Sequence, residues 1–452
     1  MSNLSNKNSN NNCVSSDKNI AVIVPTYNRE KSINNIVNTF LELDDYRIHL
    51  YIIDNARNFH YDCRPNLTVI PNINAGGAGG FARGMLEVLD SEEHFSHVVL
   101  MDDDISFDSK LFERLINFLK SLGPDSNECF VGGAMFRSDR PYFHVESGAK
   151  WNGLVVEPLG YGLDIREPQA TKMIDSIFGA DYAAWWFCCI PIKYIRDDNL
   201  PLPLFFQWDD VDYGLRNKAG VYTRSDIYVL HEPFDLKRTA MQYYYSNRNS
   251  LIVNSCHDGG DSKKTVIKTL KNRIISEICL YRYEYAESLN KSIEDFLKGP
   301  MWLCSINPEE YNNEILRFNK PFQFVANKVD YDWLGVCRNI KDCDFLHKFI
   351  RMVSLNGYLL KSKNDFILPL YTDKPVQGYR ANKILFLEEI SGMGFERNKD
   401  IKKAICCIFK FLFLYIKLLF CYSNVKRKYR DKYSYMTSKE MWKKYLRLNE
   451  LN

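Results

Sequence analysis

The sequence predicts an α/β fold with a mostly parallel sheet covered on both faces. Short apolar runs alternate with amphipathic stretches in the first part of the chain. Helical spacing links Ile33, Ile36, Val37, Phe40 and Leu41 between the first two runs. Polar residues, notably Asn28, Asp54, Asn74 and the aspartates Asp102, Asp103 and Asp104, fall just after run ends. Ligands of open α/β sheets sit beyond those ends.

The elements are predicted in this order. Strand 19–24 closes at Pro25-Thr26-Tyr27-Asn28-Arg29, and a helix follows over 31–43. Strands 49–53 and 67–70 end at Asp54-Asn55 and Pro71-Asn72. The glycine-rich stretch 74–80 reads as a loop leading into a helix over 81–89. A fourth strand, 97–101, delivers the aspartates. A helix over 110–118 and a strand over 129–134 open a less regular, aromatic-rich region. The pattern over 209–219 suits a helix with Gly220 as its C-cap. Strand 227–230 ends at His231-Glu232-Pro233. Residues 262–295 read as strongly charged helix, and 300–392 as aromatic but weakly periodic.

A chain of 452 residues with 46% apolar content can bury a large core and more than one domain. A formal charge of +3 does not describe a nucleic-acid binder. Thirteen cysteines without paired CxxC spacing suggest reduced thiols rather than a disulfide framework. Residues 1–18 are polar and asparagine-rich and read as a flexible tail.

Three adjacent carboxylates at a buried strand end repel one another unless a cation or strong donors offset them. A divalent metal bound to a diphosphate would do so. In an extended segment Asp102 and Asp104 share a side and Asp103 points oppositely. The first and third are therefore assigned to the metal, with a solvated acidic turn or helix cap as the alternative. His231 is the natural third ligand if its strand end lies near them, though a structural role is the plainer reading of a lone histidine. The glycines Gly76, Gly77, Gly79 and Gly80 would allow close backbone approach to an anion. Asn74 and Arg83, flanking that stretch, favour a nucleotide-sugar pocket. Asp209 and Asp210, after Trp208, suit a base acting on an acceptor hydroxyl, or ordinary N-terminal helix capping. Trp185 and Trp186 suit a sugar platform or a core pair; in a strand only one can face a given side.

Val24-Pro25-Thr26-Tyr27-Asn28-Arg29 and the Asp-rich strand end resemble the inverting, metal-dependent glycosyltransferases of family 2. The segments 74–83, 101–105, 185–186, 208–216 and 231–233 resemble, more narrowly, its galactofuranosyltransferases. The likeness covers about residues 19–260, with the motifs in the family's order. It implies a GT-A, Rossmann-like nucleotide-sugar transferase domain and UDP-galactofuranose as donor. It further implies Mn²⁺ or Mg²⁺ held by Asp102, Asp104 and His231, and Asp210 as general base. Pro25, Thr26, Arg29 and Asp54 would border the uridine or ribose, with Asn74, Gly79, Arg83 and Asp103 also on the donor side. Trp185, Trp186, Trp208 and Asp209 would face the acceptor; Asp212 and Arg216 would shape that side or stiffen the helix. Galactan-polymerising members carry a β-rich domain in front, whereas this sequence begins almost directly with its first strand. Addition of one or a few sugars is therefore expected.

In 401–422, Lys403, Lys410 and Lys417 recur every seven residues among Ile, Leu, Phe and Cys. On a helix they drift only about 20° per heptad and form one basic stripe. Lys426, Arg427, Lys428, Arg430 and Lys432 follow. No uninterrupted apolar run reaches the roughly eighteen residues of a spanning helix. The segment reads as an in-plane helix on an anionic membrane, with burial against the protein or a partner subunit as the alternative.

The expected organisation is a tail (1–18), a GT-A catalytic domain (19–260), a partly helical accessory domain (261–400) and a basic amphipathic membrane-associating segment (401–452). The expected activity is transfer of galactofuranose to a lipid-linked or growing surface glycan, peripherally, at the cytoplasmic face of a bacterial inner membrane. Rival readings are another UDP- or dTDP-sugar donor, or a nonenzymatic membrane-associated scaffold. Homo-oligomerisation is left open.

Overall fold

The computed structural model describes residues 19–448 except 44, 63, 124–127, 219, 233–238, 321–322, 325–344, 364, 371 and 389–391. The tail 1–18, the end of the helix expected over 209–219, and Pro233 lie outside the described residues.

The first half follows the expected order: β1 (Ile20–Thr26), α1 (Glu30–Leu43), β2 (Ile48–Asp54), β3 (Leu67–Pro71), α2 (Gly76–Asp90), β4 (His97–Met101), β5 (Ile105–Ser106) and α3 (Leu111–Ser121). Next come β6 (Phe130–Arg137), β7 (His144–Glu146), β8 (Ala149–Asn152), β9 (Val155–Pro158), α4 (Ala170–Asp175), β10 (Phe187–Pro191), α5 (Asp209–Asn217) and β11 (Val221–His231). The main sheet runs β3-β2-β1-β4-β10-β6-β11-β5, with β7 on β6. β3, β2, β1 and β4 are parallel, as expected. The other half is mixed: β10 enters antiparallel between β4 and β6, and β5 and β7 also pair antiparallel. The excursion after β6 reverses the chain before β10, a path that periodicity does not reveal.

Period-two alternation divides the core into two layers. Ile20, Val22, Val24, Val99 and Met101 pack with α1 and α3, while Ala21, Ile23, Val98 and Leu100 face α2 and the later helices. Cys188 and Cys189 go to opposite layers, both as free thiols.

The glycine-rich stretch is helical rather than a loop. Gly76 opens α2 at φ +71°, where a Cβ would sit 1.9 Å from the Phe205 carbonyl oxygen. Gly84 lies against β1, where a Cβ would meet Ile23 Cγ2 at 2.2 Å. These glycines serve close helix–strand approach, which outweighs their poor helix propensity. At the end of α5, Lys218 at φ 49° is the C-cap instead of Gly220.

Beyond β11 the chain is mainly helical: α6 (Ala240–Cys256), α7 (Lys263–Cys279), α8 (Tyr283–Lys298), α9 (Pro300–Leu303) and α10 (Pro308–Leu316). The helix expected over 262–295 is two helices, broken where Tyr281 takes φ 60°. A small sheet of β12 (Gln323–Phe324), β13 (Phe366–Pro369), β14 (Lys383–Leu387) and β15 (Met393–Asn398) follows, with α11 (Phe345–Val353) between the first two strands. Three helices close the chain: α12 (Ile401–Asp431), α13 (Tyr433–Met436) and α14 (Lys439–Tyr445). Asp400 caps α12 by accepting from the Lys403 N–H.

By length and composition alone α12 could cross a membrane. One strip of it is buried, through Ala404, Cys407, Phe411, Leu414, Leu418, Tyr422, Val425 and Tyr429. These residues join the same core layer as α2, α6, α7 and α8.

The tight seam at Gly84 yields a prediction. Gly84→Ala should lower unfolding stability in urea by about 1–3 kcal/mol, because the β-branched Ile23 cannot yield cheaply. Gly123→Ala, with nothing within 4 Å of its added carbon, should lack that overpacking penalty.

Candidate active site

The acidic run sits where β4 leaves the sheet. The chain turns and returns as β5, whose Ile105 is directly opposite His231 on β11. That register brings the histidine beside the aspartates. One ligand atom each from Asp102, Asp104 and His231 lies within 4.8 Å of the others. His231 Nε2 is 3.2 Å from Asp104 Oδ1, and Nδ1 is 2.5 Å from the Glu232 carbonyl oxygen. With Nδ1–H donating to that carbonyl, Nε2 is the ring nitrogen that faces the carboxylates.

Asp103 points the other way. Thr26 Oγ1 donates to Asp103 Oδ2 at 2.7 Å, and Arg29 donates to Oδ1 at 2.6 Å. Arg29 Nη1 is also 3.0 Å from Asp104 Oδ2. One guanidinium thus ties the end of β1 to the acidic turn and offsets part of its charge. The remainder is large: burial, then Asp104, Asp103 and Asp209, push the Asp102 carboxyl well above its usual range. Asp103 is also raised, by burial chiefly, against the pull of Arg29 and Thr26. Two carboxylates and an imidazole around an excess of negative charge fit a divalent cation of the Mn²⁺ or Mg²⁺ type.

Two polar cavities adjoin this point. One of about 490 Å³ is lined by Arg29, Asp104, Phe107, Ser138 and Glu232. The other, about 160 Å³, is lined by Thr26, Asn28, Arg29, Asp54, Asn58 and Phe59. Asp54 lines the second through a structural carboxylate, which accepts from the Ala56 and Phe59 N–H groups at 2.9 and 2.7 Å. Asn74 Oδ1 accepts from the Gly76 N–H and sets the start of α2. Pro25 packs over Gly80, where an added Cβ would be 2.4 Å away.

Two residues expected on the donor side lie elsewhere. Gly79 faces Trp442 and Leu446, each 3.7 Å from where its Cβ would be. Arg83 lines neither cavity and donates to Glu87 one turn along α2 at 2.7 Å. Once 76–80 is helix, successive residues point around the axis and cannot all face one anion.

Asp209 and Asp210 begin α5 behind a strained segment. Phe205, Gln207 and Trp208 all take left-handed φ, at 70°, 63° and 74°. The Asn249 side-chain amide holds this segment by donating to the carbonyls of Leu204, Phe206 and Gln207, and Arg248 donates to Leu204. Strain of this kind persists only where the surroundings over-determine it. Burial, then the charge of Asp210, raises Asp209 to about 8; burial raises Asp210 to about 6. Asp209 is near enough to raise Asp102, so α5 faces the acidic turn.

One neighbour of α5 was not apparent in the sequence. Glu146 is only 8% exposed and its Oε1 has no hydrogen-bond partner among the described residues. Burial, then Asp210, raises it to about 8. Nothing in a short strand of an irregular region distinguishes it. Asp212 is buried and accepts from Tyr433 Oη at 2.5 Å and Arg216 at 3.1 Å, with His257 Nε2 at 2.8 Å. Burial works to raise it, but Arg216, His257 and Tyr433 prevail and hold the carboxylate low. This network anchors α5 to the C-terminal helices.

The tryptophans divide. Trp185 is core, edge-on to Phe81 and Tyr213 at 5.1 and 5.6 Å. It cannot offer a face to sugar, which corrects that expectation. Half-buried Trp186 donates from Nε1 to the Gly133 carbonyl at 3.2 Å. Trp208 is buried, with Nε1 3.4 Å from Ser246 Oγ.

The raised Glu146 pKa gives a stability prediction. Its protonated folded form favours folding below its ordinary value, and that contribution fades as pH rises toward about 8. Between pH 5 and 8, Glu146→Gln should therefore lose less urea stability than the parent, by roughly 1–3 kcal/mol.

Residues 21–145 match the family model described as Glycosyl transferase family 2. Over 322 residues the chain is 29% identical to galactofuranosyltransferase GlfT2 of Mycolicibacterium smegmatis, covering 64% of this chain and 48% of that protein. It is 27% identical over 322 residues to GlfT2 of Mycobacterium tuberculosis, covering 64% of this chain and 50% of that protein. The chain thus spans about half the length of these curated relatives. The Staphylococcus aureus TarS 1–349 structure with UDP-GlcNAc is 14% identical, with a TM-score of 0.39, 68% of this chain and 94% of that one covered. That likeness is too weak to add to the assignment. The family match, the curled mixed sheet with helices on both faces and the helical C-terminal region accord with the GT-A architecture. Residues 21–145 thus carry a glycosyl transferase family 2 domain, within a chain of galactofuranosyltransferase-like sequence.

Proposed function

We propose that this chain is an inverting, metal-dependent glycosyltransferase that moves galactofuranose from UDP-galactofuranose to a lipid-linked or growing surface glycan. The convergence of Asp102, Asp104 and His231 opposite an acidic helix start carries this reading. The donor sugar is taken from the relatives' names. We place the enzyme peripherally at the cytoplasmic face of a bacterial inner membrane, a location supported by the apolar, lysine-bearing α12.

In this reading Asp102, Asp104 and His231 would hold the divalent ion. The ion, when bound, offsets charge on the diphosphate of the departing UDP. Arg29 and Thr26 hold the acidic turn in place and border the nucleotide cavity. Asp210 takes the proton of the acceptor hydroxyl as its oxygen bonds to the anomeric carbon. The bond from that carbon to the diphosphate breaks on the opposite face, and the electron pair leaves with UDP. A carboxyl raised to about 6 is matched to this work near neutral pH, since it is mostly ionised yet more basic than an ordinary aspartate. Asp209 and Glu146 lie beside it as more weakly acidic carboxyls.

Replacing Asp210 with Asn should lower kcat by about 100-fold or more while leaving UDP binding by calorimetry nearly unchanged. Equal rates in variant and parent would remove Asp210 from the mechanism. In the parent, kcat should fall as pH drops through about 6, because the base is lost on protonation. EDTA should abolish UDP release, and added Mn²⁺ should restore it in the parent but not in Asp102→Ala or His231→Ala. A panel of UDP- and dTDP-sugars, read by released nucleotide, tests the donor; preference for another sugar would overturn the galactofuranose assignment.

A further inference from the structure

The strip of α12 opposite its buried side is also apolar. Ile405, Phe409, Leu412, Phe413, Ile416 and Phe420 are exposed, Phe409 to 67% and Phe420 to 80%. Helix α11 adds exposed Leu346, Phe349, Met352 and Val353, and α7 adds Ile275. The three helices meet in a groove of about 540 Å³ whose apolar walls include Ile278, Met352, Tyr358, Ile405 and Phe411. A second cavity of about 540 Å³ lies between α7 and α12, lined by Ile267, Tyr415 and Leu419. An apolar surface continuous across three helices is far more than scattered exposed residues require.

The charges lining these two cavities have one sign. Lys271, Lys348 and Arg351 line the groove, and Lys263, Lys264 and Lys268 line the second cavity. Lys403, Lys410 and Lys417 immediately precede the buried positions Ala404, Phe411 and Leu418, so they run along the other edge of the exposed strip. Lys410 is also 3.4 Å from Glu294 of α8. Within these three helices, ahead of Asp431, the sole acid is Glu277, buried and paired with Arg282.

We propose that α7, α11 and α12 form one docking face for an anionic phospholipid bilayer, with the apolar strip and groove entering the acyl boundary and the lysines meeting the headgroups. An apolar face edged by cations has the complementarity that an anionic interface needs. A second copy of the same face would bring the lysine rows together, which like charge opposes. Spanning would strip Phe411, Leu414 and Leu418 from the core they share with α8, so α12 lies in the plane. Because α13 follows α12 directly and Tyr433 bonds Asp212, the docked face holds α5 at a fixed height above the lipid. The proposal deepens the peripheral placement given above, but vesicle binding is read without catalysis.

The test is flotation of the full chain with vesicles of phosphatidylcholine alone or with 30% phosphatidylglycerol (about that share suffices for a negative surface). The parent should float with the anionic vesicles at least tenfold better, and high salt should weaken this. Lys264→Glu/Lys268→Glu/Lys271→Glu should lose the anionic preference, on the order of fivefold per lysine. Phe409→Ser/Phe413→Ser/Phe420→Ser, at exposed positions, should float poorly on both vesicle types yet keep the parent's melting temperature and its UDP release with a soluble glycan acceptor. Equal flotation of either variant and the parent would overturn the proposal. So would a stable dimer in sedimentation that the serine variant dissociates, since the face would then be a seam between copies. Loss of UDP release in the parent with normal flotation would instead count against the enzymatic reading alone.

Discussion

The whole site depends on an unfavourable concentration of negative charge at the end of β4. Asp102, Asp103 and Asp104 leave a fully buried strand together, and Asp209 approaches from α5. The protein offsets part of this with one guanidinium, Arg29, which reaches both Asp103 and Asp104. The alternation of the backbone does the rest by sending Asp103 to Thr26 and leaving the other two carboxylates on the side of His231. Charge that the protein leaves uncompensated is charge a bound cation would relieve.

Around that point, backbone geometry sets side-chain position. A two-residue strand, β5, pairs with the end of β11 and sets His231 beside the aspartates. Three left-handed residues, Phe205, Gln207 and Trp208, place Asp209 and Asp210 at the start of α5, and the Asn249 amide from α6 holds the carbonyls of Leu204, Phe206 and Gln207. Gly76 allows the Phe205 carbonyl to come close to the start of α2. Each of these is a local cost met by a contact from a distant segment.

The C-terminal helices belong to the same framework. Tyr433 bonds Asp212, Tyr422 Oη accepts from Asn254 at 3.0 Å, and Trp442 packs near Gly79 while donating to the Pro201 carbonyl at 2.8 Å. One core layer runs from Ala21 to Leu446. A surface built on α7, α11 and α12 is therefore mechanically continuous with the helix that carries Asp210.

The sequence alone was enough to read the first strands and helices, because apolar spacing and strand-end punctuation are local signals. It also singled out Asp102, Asp104 and His231, because charge crowded at a strand end calls for a cation or donors, although an acidic turn and a structural histidine were equally open in the chain alone. It misread 74–80 as a loop, because glycine's tolerance of tight packing and its flexibility look alike in one chain. It missed α6, whose buried Asn247, Arg248, Asn249 and Asn254 carry no apolar period. The antiparallel entry of β10, the neighbourhood of Glu146 and Asp210, and the tether from Tyr433 to Asp212 were decided only by tertiary structure. Each joins segments far apart in the chain, and the energies that favour such contacts leave no periodic trace in either segment alone.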